Sequence, residues 1–276
     1  AMRQFGYDAG EPRGPKISQS DLIRFGPSKP NTATWVYICT PVLNAVSTID
    51  QTIFSVVTQA GDFNLRYHVQ DGGSDDGTLA RLNFWKDILS KEVLPNACRS
   101  IHFSFTSQTD SGMYAALNEG FKVMALPQNC VMSWINADDI LFPGAIQTAC
   151  EVVASCPEVK WIVPAAYTID EKGAHRSARV GKQSTHREAI RLGLCDGGAY
   201  PFLQQEGMFW TSNLWKKAGG LDEQFSLCGD WDLWRRFASL AEPVFCRFHL
   251  GAFRKHALQK SSDLEAYKRE LAAARP

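Results

Sequence analysis

The chain has no long apolar run. Hydrophobic residues make up 45% of it, yet nowhere do they line up for the ~18–20 positions that a helix needs to cross a bilayer. Its first residues, AMRQFGYDAGEPRGPK, lack the apolar stretch of a secretory signal. It has no excess of charge either: 29 Lys+Arg stand against 29 Asp+Glu, and a net of zero argues against a protein that grips nucleic-acid backbones. The eight cysteines contain no C-x-x-C pair, and most fall in apolar patterns such as VYICT and NCVMSWI. That usage reads as the reduced, buried thiols of a cytoplasmic protein, not as a disulfide frame or a zinc cage. Internal repeats and low-complexity tracts are missing too. What remains, in 276 residues, is enough apolar material for one large α/β domain.

Order is expected from residue 35, after an irregular, Pro/Gly-punctuated lead-in over 1–34. Apolar strands WVYICT (35–40), LRYHVQ (65–70), IHFSF (101–105), VMSWIN (131–136) and VKWIVP (159–164) alternate with helical stripes near 47–59, 78–90, 112–124 and behind Pro143, which is placed as a first-turn proline. That alternation predicts an α/β fold with a doubly wound, mostly parallel sheet. Past residue 165 the rhythm breaks into a hairpin turning at 171–173, a polar helix near 184–193, the aromatic segment QQEGMFW (204–210), a helix at 230–240 and an edge strand at 243–249. A single domain over 35–256 and a basic C-terminal helix over 257–276 complete the expected organisation. Residues 247–276 carry seven basic side chains against Asp263, Glu265 and Glu270, a local +4 that suits either a solvated helix face or, at most, peripheral contact with an anionic membrane surface.

In an open parallel sheet, ligands bind beyond the carboxyl ends of the strands. Here those ends carry Thr40-Pro41 with Asn44 beyond, Asp71-Gly72-Gly73-Ser74, Thr109-Asp110-Ser111-Gly112 and Asn136-Ala137-Asp138-Asp139. No glycine-rich phosphate loop serves them: G-x-x-x-x-G-K-[ST] is absent, and Gly72, Gly73 and Gly77 do not fit G-x-G-x-x-G. A calcium loop starting at Asp71 fails, because Asp76 and Leu82 stand where glycine and glutamate are needed. Carboxylates facing a diphosphate repel it by several kcal/mol at short range unless a cation lies between them. The loops therefore point to a metal–diphosphate crevice, although DGGSDDGT alone would also suit a tight turn with an aspartate cap.

Five segments carry a resemblance. TPVLNA, VQDGGSDDGT, SGMYAALNEGF, WINADD and GGLDEQFSLCGDWDLWRRF follow, in order and over roughly residues 35–256, the pattern of family-2 glycosyltransferases of the GT-A fold. The resemblance implies a nucleoside-diphosphate-sugar donor, with uridine or thymidine diphosphate favoured, and inverting transfer of one sugar to a saccharide or lipid-linked acceptor. It implies that Asp71, with Thr40, Pro41 and Asn44, holds the nucleotide base, and that Asp110 and Gly112 wall the donor site. Asn136 and Asp138 take the place of the D-x-D motif, Asp138 binding Mn2+ or Mg2+; Asn136 departs from the pattern and removes one charge beside the ion. Asp230 inherits the role of catalytic base, preceded by Gly229 where the family usually has a second acid. Arg254-Lys255-His256 matches a late R-x-H motif, making His256 either a metal ligand or a plain surface histidine. Gln205 and Glu206 are candidates for the sugar or acceptor pocket; Trp210 either stacks on a sugar or belongs to an aromatic core stripe. The Q-x-x-R-W signature of processive synthases is missing, so single-sugar addition is expected, in bacterial surface polysaccharide or glycolipid assembly, in the cytoplasm or at the inner membrane face. The departures at Asn136 and Gly229 leave one alternative, a catalytically inactive sensor or scaffold of the same fold.

Overall fold

The computed structural model describes residues 34–91, 97–178, 185–198, 200–257, 259 and 263–274. The expected lead-in falls outside them up to residue 33, and Thr34 already begins the first strand. Strands β1 (Thr34–Val42), β2 (Phe63–Asp71), β3 (Ser100–Ser107) and β4 (Val131–Trp134) alternate with helices α1 (Ile49–Val57), α2 (Thr78–Ser90) and α3 (Met113–Val123). Then come β5 (Ile140–Leu141), α4 (Ala145–Ser155), β6 (Trp161–Val163), β7 (Tyr167–Ile169), β8 (His175–Ala178) and α5 (Arg187–Arg191). The rear half closes with β9 (Phe209–Thr211), α6 (Ser212–Ala218), α7 (Gly229–Leu240), β10 (Pro243–Phe245), β11 (Gly251–Arg254) and α8 (Leu264–Ala274).

A seven-stranded sheet runs in the order β10-β6-β9-β4-β1-β2-β3. β4, β1, β2 and β3 are mutually parallel, and so are β6 and β10; β9 lies antiparallel to both β4 and β6 and joins the two parallel blocks. Both faces are covered, which is why β1 reads as a continuous apolar run. Its alternate residues separate cleanly: Val36 and Ile38 face the core shared with α1, α2 and α4, whereas Tyr37 and Cys39 face the one shared with α3, α6 and α7. All eight cysteines are free, and seven are buried. Among the described residues, no helix is long and apolar enough to cross a membrane.

Two expectations are corrected. Helix α4 starts at Ala145 behind a left-handed Gly144, so Pro143 stands ahead of the helix and not in its first turn. The strand expected over 243–249 is confined to β10, which closes one edge of the large sheet; β11 begins beyond it, at Gly251, and joins β5, β7 and β8 in a second sheet ordered β5-β11-β7-β8. In addition, α6, β5 and β11 had no counterpart in the pattern, being too short to show a period.

Close packing of α3 on the sheet depends on Gly120, where a Cβ would sit 2.5 Å from the Sγ of Cys39 and 3.3 Å from the ring of His68. Alanine is the better helix former by about 1 kcal/mol, but here the clash outweighs that gain. Gly120→Ala is expected to lower the unfolding free energy by about 1–3 kcal/mol in urea titration; an unchanged midpoint would show that Cys39 yields freely.

Candidate active site

A cavity of about 1270 Å³ opens beyond the carboxyl ends of β4 and β1. Its walls include Pro41, Asn44, Asp110, Gly112, Asn136, Asp138, Gln205, Glu206, Asp230 and His256, so most of the expected site residues meet in one space. Thr40 and Asp71 do not reach it. Both are fully buried. Thr40 Oγ1 shares a hydrogen bond with Tyr67, and the Asp71 carboxylate accepts from the Ser74 amide and from the hydroxyls of Ser74 and Ser107.

That bonding shows what DGGSDDGT does locally. Asn44, held at φ +53°, accepts from the Asp75 amide and donates its own amide to Ser74 Oγ, while Asp76 accepts from the Val46 amide and from Thr78. The first two strand-end loops are thus stitched into one rim. Asp110 accepts from the Gly112 amide, and Gly112, at φ +129°, takes a conformation that a Cβ would disfavour as it turns the chain into α3.

The acidic end of β4 is built around Arg254, which is buried on β11. Its backbone amide donates to Asp139 at 2.7 Å and its Nε to the Asp138 carbonyl at 2.6 Å. Its other guanidinium nitrogens reach the carbonyls of Asp170 and Glu171 and the side chain of Gln51. Two residues further on, His256 Nε2 meets Asp138 Oδ2 at 2.7 Å, with both side chains about a quarter exposed to the cavity. The late motif therefore works in two parts, its arginine bracing the loop and its histidine facing the carboxylate.

Behind Asp138 lies a crowded acidic pair. Burial, followed by the charges of Glu206 and Asp138, pushes the Asp139 carboxyl well above its ordinary range, and burial carries Glu206 up to about 7. Asn136 Nδ2 donates to Asp139 at 3.0 Å and reaches toward Glu206 at 3.5 Å. An aspartate at 136 would add a further negative charge to this pair, so the amide suits the site. Asn136 Oδ1 and Gln205 Oε1 are buried and have no hydrogen-bond partner among the described residues.

No group of three His, Cys, Asp or Glu side chains placed to hold a metal occurs among the described residues. Asp138 and His256 nevertheless fit a Mn2+ or Mg2+ ion that keeps water and draws its remaining oxygens from a diphosphate. Asp139 is unavailable, being taken up by Arg254 and Asn136.

Asp230 occupies the first turn of α7 and accepts the Trp231 amide at 2.7 Å. Burial raises its pKa to about 6 against that hydrogen bond. Gly229 before it is explained by Tyr114, whose ring lies 2.6 Å from where a Cβ would project. Any larger residue would displace that ring. Trp210, by contrast, is core: it packs among Trp134, Trp215, Trp234 and Phe237 at centroid separations of 5.2–6.2 Å and does not line the cavity. His68 and His249 are structural as well, the first hydrogen-bonded to Ser104 and the second donating from Nδ1 to the Ala165 carbonyl. Tyr114 and Tyr267, which also line the cavity, gave no sign in the sequence.

Comparison with known proteins matches residues 37–197 to the family model described as Glycosyl transferase family 2. An uncharacterized glycosyltransferase of Rickettsia prowazekii is 24% identical over 242 residues, covering 84% of this chain and 69% of its own. Among solved structures, S. aureus TarS 1-349 in complex with UDP-GlcNAc superposes with a TM-score of 0.62 at 14% identity, over 86% of this chain and 65% of that one. The mannosyltransferase PcManGT from Pyrobaculum calidifontis, in complex with GDP-Man and Mn2+, gives 0.58 at 16% identity, over 91% of this chain and 66% of that one. The chain spans 39% of the longer TarS structure.

The raised pKa of Asp230 has a consequence for stability. Between its ordinary 3.8 and about 6, the folded protein holds a proton that the unfolded chain has released, so stability falls as pH rises through that window. Above it, the buried charge costs about 2–3 kcal/mol. Asp230→Asn should therefore melt several degrees higher than wild type at pH 8, with the difference closing toward pH 4. Equal melting temperatures at pH 8 would mean that the carboxylate is not desolvated.

Proposed function

Because the chain belongs to glycosyl transferase family 2, we propose that it moves one sugar from a nucleoside-diphosphate donor to an acceptor hydroxyl with inversion at the anomeric carbon. The observation that carries this reading is the joint exposure of Asp230 and the Asp138–His256 pair in one cavity large enough for donor and acceptor together. Asp230 takes the acceptor's proton as the acceptor oxygen bonds to the anomeric carbon and the bond from that carbon to the diphosphate breaks. Its pKa near 6 leaves it ionised at neutral pH yet a better base than an exposed aspartate. Asp138 and His256 would hold a manganese or magnesium ion, whose chemistry is to offset charge on the departing diphosphate. Pro41, Asn44, Asp110 and Gly112 form the donor wall, with Asp71 bracing its loop from behind, and Gln205, Glu206 and Asn136 line the sugar pocket.

The proposed donor is a uridine or thymidine diphosphate sugar; the assay panel also includes GDP-Man, since the two neighbours bind different nucleotides. Beside Asp230 the cavity is lined by Phe202, Leu203, Leu227, Trp231 and Tyr267, which supports an acceptor with an apolar portion, such as a lipid-linked saccharide. Surface polysaccharide or glycolipid assembly at the cytoplasmic membrane face is the setting this reading suggests. An inactive sensor would bind donor without turning it over, and the same assays separate the two.

Asp230→Asn should lower kcat by a factor of ~10²–10⁴ while donor affinity stays nearly constant, and wild-type kcat should fall off below about pH 6. Loss of donor binding with near-normal turnover would remove Asp230 from the chemistry and turn attention to Glu206.

Asp138→Asn should abolish turnover and weaken Mn2+ binding by calorimetry in the presence of UDP at least about tenfold; excess chelator should silence the wild type. Full activity in chelator would overturn the metal assignment.

A further inference from the structure

Helix α7 begins without a side-chain cap of its own. Three consecutive amides ahead of it are taken instead by one carboxylate from the C-terminal helix: Ser226 N–H donates to Glu270 Oε1 at 2.6 Å, and those of Leu227 and Cys228 donate to Oε2 at 2.7 Å each. Such a run of amides at a helix start is a natural anion seat. Around it, Leu271 packs on Cys228 and Trp231, with Phe225 and Tyr267 beside them. Tyr267 continues into the cavity and meets the Phe202 ring edge-on at 5.1 Å. Asp230 follows Cys228 by two residues.

We propose that Glu270 is a positioning residue for the transfer reaction: by holding the three amides ahead of α7, it fixes the turn that presents the Asp230 carboxylate to the acceptor. The inference rests on Asp230 being the base. A tether needed only for docking α8 could sit anywhere along that helix, whereas this one closes on the turn carrying Asp230. Burial works to raise the Glu270 carboxyl, but its three amide bonds outweigh burial and hold it below the ordinary range, so it is ionised at neutral pH. The groups facing Asp230 are Tyr114 from α3, Glu206 from the turn before β9, Cys228 at the head of α7, and Tyr267 and Glu270 from α8. Glu270 is thus one of two glutamates whose charge bears on the base, and its negative charge makes Asp230 harder to ionise.

Geometry and charge give separable signatures. In Glu270→Gln an amide NH2 must face at least one backbone N–H, so the turn loosens and the charge is lost. Glu270→Asp keeps the charge but withdraws it by one methylene. The full chain is used throughout, with UDP-GlcNAc and GDP-Man hydrolysis in MnCl2 as the turnover probes, donor affinity by calorimetry, and ligand-free readings of amide exchange and of the Asp230 carboxyl titration by NMR. Glu270→Gln is expected to exchange the amides of residues 226–228 at least ~10-fold faster, and to lose ~10–100-fold in kcat at unchanged donor affinity. Its Asp230 midpoint should move about half a pH unit lower, so that activity relative to pH 8 extends further into acid. Glu270→Asp should lose turnover without moving that midpoint. Glu265→Gln, on the same helix but paired with Lys268 in solvent, should match wild type in every reading. Unchanged exchange and an unchanged midpoint in Glu270→Gln would overturn the proposal, as would full turnover in a background where Asp230→Asn is dead. If Asp230→Asn itself keeps turning over, it is the base assignment that fails.

Discussion

Three carboxyl groups, those of Asp138, Glu206 and Asp230, line one partly desolvated cavity with a fourth, Asp139, buried behind them, and they cannot all carry charge there without strong mutual repulsion. Much of the surrounding structure answers that constraint. Arg254 is buried against the loop that carries two of them. Asn136 takes a place where an acid would worsen the crowding and bridges the two most buried members with its amide. Burial and neighbouring charge oppose the ionisation of both Asp139 and Glu206. Asp138 lies at the rim beside an imidazole, where a cation can reach it.

The same constraint sorts the two departures from the family pattern. Neither empties the site. The space of a side chain at 229 is occupied by Tyr114, and the charge missing at 136 would have been added beside three other acids. The proposed base and the Asp138–His256 pair remain on one cavity, which is why the catalytic reading is proposed over a sensor.

The front half of the fold was legible in the sequence. β1, β2 and β4 are buried runs and β3 an alternating edge strand, each bounded by turn residues, so their type and order follow from pattern alone, and their strand-end loops were found with them. The rear half was harder for a physical reason. β5 and β11 have two and four residues, pair with distant segments, and so leave no periodicity to read. At the site, Asp138, Asp230 and His256 stood out because motif spacing marks them. Thr40 and Asp71 stood out equally, but hydrogen bonds to Tyr67, Ser74 and Ser107 hold them behind the wall. Glu270 could not have been found: it lies in an amphipathic helix whose Lys268 and Arg269 are balanced by Glu265 and Glu270, and only tertiary packing brings it to amides more than forty positions earlier.

Strand β9 is three residues long, yet it is the seam of the large sheet, bonding to β4 through Val131 and Met132 and to β6 through Trp161 and Ile162. During synthesis the four parallel strands of the front half emerge first and can pair among themselves, while β6 waits for a neighbour that has not yet been made. Until Phe209–Thr211 arrive, β4 and β6 each present an open, apolar edge to whatever lies nearby. Assembly of the whole domain therefore turns on one late, antiparallel insertion, and a nascent chain stalled before it is exposed to edge-to-edge association.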